Sequence, residues 1–111
     1  MLRYSYDLIT MISDYWSPVP KYDRCSYILL MIYGKKQNYQ SVEELQKDYE
    51  QLHLYNDIVT PDFLMIFTEA MNYLINNNIV NVSEQGLIVD EEQCLLFLLD
   101  NTNTTQVNLL N

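Results

Sequence analysis

The sequence predicts a mainly helical domain closed by one β-hairpin. Three observations carry this. Apolar residues recur at spacings of three and four, the signature of helices with one buried face. Cap and breaker residues bound each such run. Two β-branched runs near residue 80 flank a glycine-containing turn. Of the 111 residues, 49% are apolar, enough to close one core. We therefore expect a single domain over residues 1–100 and a polar tail over 101–111.

Leu2 to Trp16 is the first predicted helix, with Tyr4, Leu8, Met11 and Tyr15 on one line and Arg3, Asp7 and Asp14 off it. Ser17-Pro18-Val19-Pro20 should end it, because each proline lacks a donor and restricts the residue before it. Tyr22 to Tyr33 is nearly apolar all round, which predicts a central second helix stopped at Gly34, with Lys35 and Lys36 near its negative end. After a short extended link, Asn38-Tyr39-Gln40, the run Ser41-Val42-Glu43-Glu44 reads as a capping box for a third helix reaching about Leu52. Thr60-Pro61 starts a fourth, carried by Phe63, Leu64, Phe67, Met71, Leu74 and Ile75 and broken by Asn76-Asn77-Asn78. Ile79 to Val82 and Leu87 to Val89 form the hairpin around Ser83-Glu84-Gln85-Gly86. Asp90-Glu91-Glu92 gives a negative start to a last short helix through Leu99.

Charge is distributed unevenly. Residues 1–47 hold all six bases (Arg3, Lys21, Arg24, Lys35, Lys36, Lys47) and five acids, for a net +1. Residues 48–111 hold ten acids and no Lys or Arg, for a net −10, giving the chain its −9. No segment resembles a secretory signal, and no apolar run approaches the roughly 20 residues of a membrane span. A cytoplasmic protein without membrane contact is the expectation. The acceptor patterns Asn81-Val82-Ser83 and Asn103-Thr104-Thr105 need secretion and are set aside.

From Tyr22 to Val89 the order helix, extended link, helix, helix, hairpin resembles the winged-helix variant of helix-turn-helix domains. The resemblance rests on Ser41-Val42-Glu43-Glu44-Leu45, on Leu74 with Ile79, and on the 79–89 wing. It implies a winged-helix-like core with extra N-terminal and C-terminal helices. DNA-binding members use the third helix and wing with Arg and Lys on phosphate. The corresponding Thr60 to Val89 offers Asp62, Glu69 and Glu84 and no base. Acidic, protein-binding members are therefore the nearer likeness, such as accessory subunits of chromosome-structuring ATPases and middle components of bacterial three-component ATPase defence systems.

Signals for catalysis are missing. His53 with Asp57 supplies two groups where a metal site needs three or four. Cys25 and Cys94 lie in apolar runs and read as buried free thiols. The carboxylate pairs at 43–44 and 90–92 sit at helix starts, where they have a structural role. Two glycines cannot build a phosphate-cradling loop. No enzyme activity, cofactor or metal is expected.

The leading expectation is an accessory or inhibitory subunit that docks on another protein's basic surface, in its sharper form a nucleic-acid mimic in a bacterial or phage defence or counter-defence setting, with homodimerisation also open. Asp57, Asp62, Glu69, Glu84, Asp90, Glu91, Glu92 and Asp100 would steer the encounter, and Tyr15 and Trp16 would anchor it. For ten tyrosines, core packing with the hydroxyl at the surface is the plainer reading of any single one. The alternative function is a winged-helix transcription regulator contacting DNA through Lys35, Lys36 and Lys47.

Overall fold

A computed structural model describes residues 2–35, 38–55 and 63–99. It contains α1 (Leu2–Asp14), α2 (Pro20–Gly34), α3 (Val42–Tyr55), α4 (Phe63–Asn76), β1 (Val80–Ser83) and β2 (Gly86–Val89). A last helix, α5, covers residues 91–99. The mainly helical fold with one antiparallel hairpin is the one the sequence predicts.

In α1, Leu8 and Ile12 face the core, followed by Tyr15 just past the helix end. The helix stops two residues earlier than expected, and Tyr15 N–H closes on the Ile12 carbonyl at 3.1 Å. The prolines do more than end α1, because Pro20 occupies the first turn of α2. Its fixed φ suits a helix start, where its missing N–H costs nothing. Asp23 N–H then bonds the Val19 carbonyl at 3.0 Å. As its composition predicts, α2 is central: it packs on α1, α4 and β2, with Cys25, Ile28 and Leu29 fully buried.

Two helix ends are instructive. At α3, Ser41 Oγ accepts the Glu44 N–H at 3.2 Å, the first half of the expected capping box. The reciprocal half gives way to an ion pair, since Glu44 Oε1 lies 3.3 Å from Lys35 Nζ. At α4, the break at Asn76-Asn77-Asn78 is a Schellman closure. Asn78 takes a left-handed φ of 61°, Asn78 N–H reaches the Ile75 carbonyl at 3.1 Å and Ile79 N–H reaches that of Leu74 at 2.9 Å. Asn tolerates that conformation, and the buried Leu74 and Ile79 supply the usual apolar contact across the motif.

In the hairpin, Val80 pairs with Val89, Asn81 with Ile88, Val82 with Leu87 and Ser83 with Gly86. Gly86 has φ 111°, and a Cβ there would collide with the Tyr39 carbonyl oxygen. That carbonyl accepts the Leu87 N–H at 2.8 Å, so the link after α2 is fastened to the outer edge of β2. Asp90 caps α5, its Oδ1 accepting the Gln93 N–H at 3.0 Å. Aromatic rings join the elements inside: Tyr49 with Phe67 at 4.7 Å, and Tyr15 with Phe97 at 5.3 Å between centroids.

Candidate protein-binding surface

The expected steering acids do not all stand alike. Glu69 on α4, Glu84 in the hairpin turn and Glu92 on α5 are exposed. Asp90 and Glu91 are half-buried, Asp90 because it caps α5. Asp57, Asp62 and Asp100 lie outside the described residues, as do the tail over 101–111 and Lys36.

The two expected anchors separate. Trp16 is 69% exposed, a large apolar surface left in water just beyond α1. Tyr15 is corrected: at 6% exposure, with its ring on Phe97, it belongs to the core and offers no anchor. The helical phase that puts Leu8 and Ile12 inward carries Tyr15 with them and turns the next residue out. Burial also pushes the Tyr15 phenol up to about 12. The other tyrosines whose side chains are described also pack on the core, but the hydroxyls of Tyr33 and Tyr49 are buried and do not reach the surface. Tyr39 and Tyr49 are buried, while Tyr22, Tyr27, Tyr33 and Tyr73 are half-buried against the core.

The bases behave differently from the acids. Lys35 Nζ sits 3.3 Å from Glu44 and 3.4 Å from Asp48, and 4.1 Å from the centre of the Tyr39 ring. Desolvation lowers the Lys35 ammonium, but its bonds to Glu44 and Asp48 outweigh that and raise it above its ordinary value. Lys21 lies over the rings of Tyr22 and Tyr73 at 5.0 and 5.4 Å, and Arg24 lies 5.8 Å from that of Tyr49. Lys47 is exposed on α3. Sequence reasoning missed this engagement, because Lys35 meets Glu44 and Asp48 only once the link folds α3 back beside α2.

Cys25 and Cys94 are free, buried thiols, as expected. Burial pushes each up to about 12, so both stay protonated and unreactive near neutral pH. Among the described residues no three His, Cys, Asp or Glu side chains converge as a metal site would require. No helix among them is long and apolar enough to cross a membrane.

A groove of about 430 Å³ opens where the end of α2, β2 and the start of α5 meet. No sequence pattern marks it, since its walls come from the end of α2 with Asn38 and from β2 with Glu91, far apart in the chain.

Comparison with protein-family models, with curated proteins and with solved structures finds no match for this chain.

Proposed function

We propose that this protein is a non-catalytic, acidic protein-binding module, an accessory or inhibitory subunit for a partner whose basic surface otherwise holds nucleic acid. One observation carries the reading. Lys21, Arg24 and Lys35 are spent on rings and carboxylates of the same chain, whereas Glu69, Glu84 and Glu92 are presented to solvent with no base anywhere beyond Lys47. Such a surface attracts a cationic partner over long range and repels phosphate. Trp16 supplies an apolar contact of the kind that holds a complex once formed.

The winged-helix likeness gains support from the Tyr39–Leu87 bond, which ties the link to the hairpin. That arrangement also favours a second reading, a DNA-binding regulator, but Lys35 is already committed to Glu44 and Asp48, and Lys47 is the one base described as exposed.

The test is a salt series of association kinetics with the partner recovered from the native host, run beside a duplex-DNA titration. Association should slow as the Debye length falls to about 8 Å near physiological salt. A salt-independent association rate would remove the electrostatic mechanism. Duplex binding that is lost on Lys36→Ala and Lys47→Ala would decide for the regulator.

A further inference from the structure

The residues that join α1 to α2 turn apolar surface outward. Tyr15 and Ser17 are buried, while Trp16 and Val19 stand 69% and 43% exposed, with Pro18 exposed between them. Pro18, and Pro20 at the start of α2, fix their own φ angles, and Ser17 Oγ accepts the Val19 N–H at 3.1 Å. The junction is thus held in shape before anything meets it, which lowers the ordering cost of an encounter.

Its flanks carry charges that the helices themselves disfavour. Asp14 is the last residue of α1, where the negative end of the helix dipole repels a carboxylate. Lys21 is the second residue of α2, where the positive end repels an ammonium. Asp14 is exposed, and Lys21 is half-buried over the rings of Tyr22 and Tyr73. Among the described residues neither forms an ion pair, and helix stability gives no reason for either charge.

The order of the segment is self-complementary. A two-fold axis between Ser17 and Pro18, with the two junctions antiparallel, sets Asp14 of one copy against Lys21 of the other and Trp16 against Val19, twice over. Net charge points the same way. Residues 1–34 hold three bases (Arg3, Lys21, Arg24) and three acids (Asp7, Asp14, Asp23), whereas residues 35–111 carry the whole −9. Two copies repel through the second part and meet without net repulsion through the first.

We propose that the junction of α1 and α2, residues 14–21, pairs with the same junction of a second copy of this chain, Trp16 packing on Val19 across the axis and Asp14 meeting Lys21 at either end. The inference goes beyond the acidic-binder reading, and it makes dimer and partner complex compete for Trp16.

Sedimentation of the full chain alone, from micromolar to millimolar concentration, tests it. A concentration-dependent dimer should appear. Trp16 is the only tryptophan, so its emission reports on the interface and should move to shorter wavelength as the dimer forms. Trp16→Ala should weaken the dimer about thirtyfold or more and leave the monomer's thermal midpoint unchanged, because the side chain it removes stands in water. Asp14→Lys and Lys21→Asp should each weaken the dimer about tenfold, and the double reversal, which restores opposite charges across the axis, should recover it. A chain that stays monomeric at millimolar concentration, a dimer that forms with no change in Trp16 emission, or a double reversal no better than either single one would overturn the proposal. The acidic-binder reading would stand in each of these cases, since it falls only if partner association proves independent of salt.

Discussion

The interior and the outer surface of this molecule treat ionisable groups in opposite ways. Inside, Tyr15, Tyr49, Cys25 and Cys94 are held neutral by burial, and the neighbouring Arg24 and Lys21 lie over aromatic rings. Outside, Glu69, Glu84 and Glu92 stand in water. The lesson is that a chain's net charge and its working surface differ. Of the four bases whose side chains are described, Lys21, Arg24 and Lys35 lie against rings or carboxylates of the fold and Lys47 alone is exposed, so few of these cations are presented to a partner.

High pH attacks the interior most strongly. Thiols and phenols are neutral when protonated, and in the unfolded chain they lose their protons near 9 and 10. Burial holds Cys25, Cys94, Tyr15 and Tyr49 protonated up to about 12 in the folded protein. The unfolded state thus binds fewer protons through that window. Stability from these groups is complete below pH 9 and drains away as the pH rises towards 12, by on the order of several kcal/mol. Thermal unfolding followed by circular dichroism between pH 8 and 11 checks this, and a flat midpoint would break the account of the interior.

The junction of the two halves comes next in expected effect. Gly86 joins the hairpin to the link, with a φ of 111° and the Tyr39 carbonyl where a Cβ would stand. Gly86→Ala combines backbone strain with a backbone collision, and should cost about 3 kcal/mol. The loss should appear in urea unfolding as a lower midpoint. A wild-type midpoint would mean that the link moves aside freely, and that the Tyr39–Leu87 bond does not hold the hairpin.

Local signals made most of the fold legible. The 3.6-residue spacing, Ser41 as cap, the asparagines after α4 and the glycine beside the turn each act within a few residues of chain, so they can be read without knowing what packs where. Boundaries drifted where one signal serves two neighbours. Pro20 looks like the end of α1 and is in fact the first turn of α2. Glu44 looks like a reciprocal cap and is drawn to Lys35. The candidate surface was half legible. The exposed acids and Trp16 follow from composition and from the end of a helix. The burial of Tyr15 was legible too, since it shares the apolar line of Leu8, and choosing it as an anchor set that local signal aside; Phe97, 82 residues away, only completes its place in the core. The groove is built wholly from long-range neighbours, which no local pattern records.

The smallest effect on stability gives the sharpest contrast between the two kinds of charge. Lys35→Gln removes a cation that bridges two carboxylates beside an aromatic ring, all partly exposed, so the loss should be about 0.5–1 kcal/mol. Replacing Glu69, Glu84 and Glu92 together with Gln removes three exposed charges on three separate elements, each far from any special backbone feature, and should change stability by less than about 0.5 kcal/mol per site. Reduced self-repulsion in a chain of net charge −9 makes a slight gain the expected sign. Binding should reverse the order. The triple variant should slow association with the partner about tenfold at low salt and little at high salt, while Lys35→Gln, which leaves Glu44 and Asp48 uncompensated, should speed it by a small factor. Urea midpoints and stopped-flow association rates for the two variants, measured side by side, test the contrast. If Lys35→Gln changes the association rate as much as the triple substitution does, then Lys35 is not spent on the fold, and the division between interior and surface charge fails.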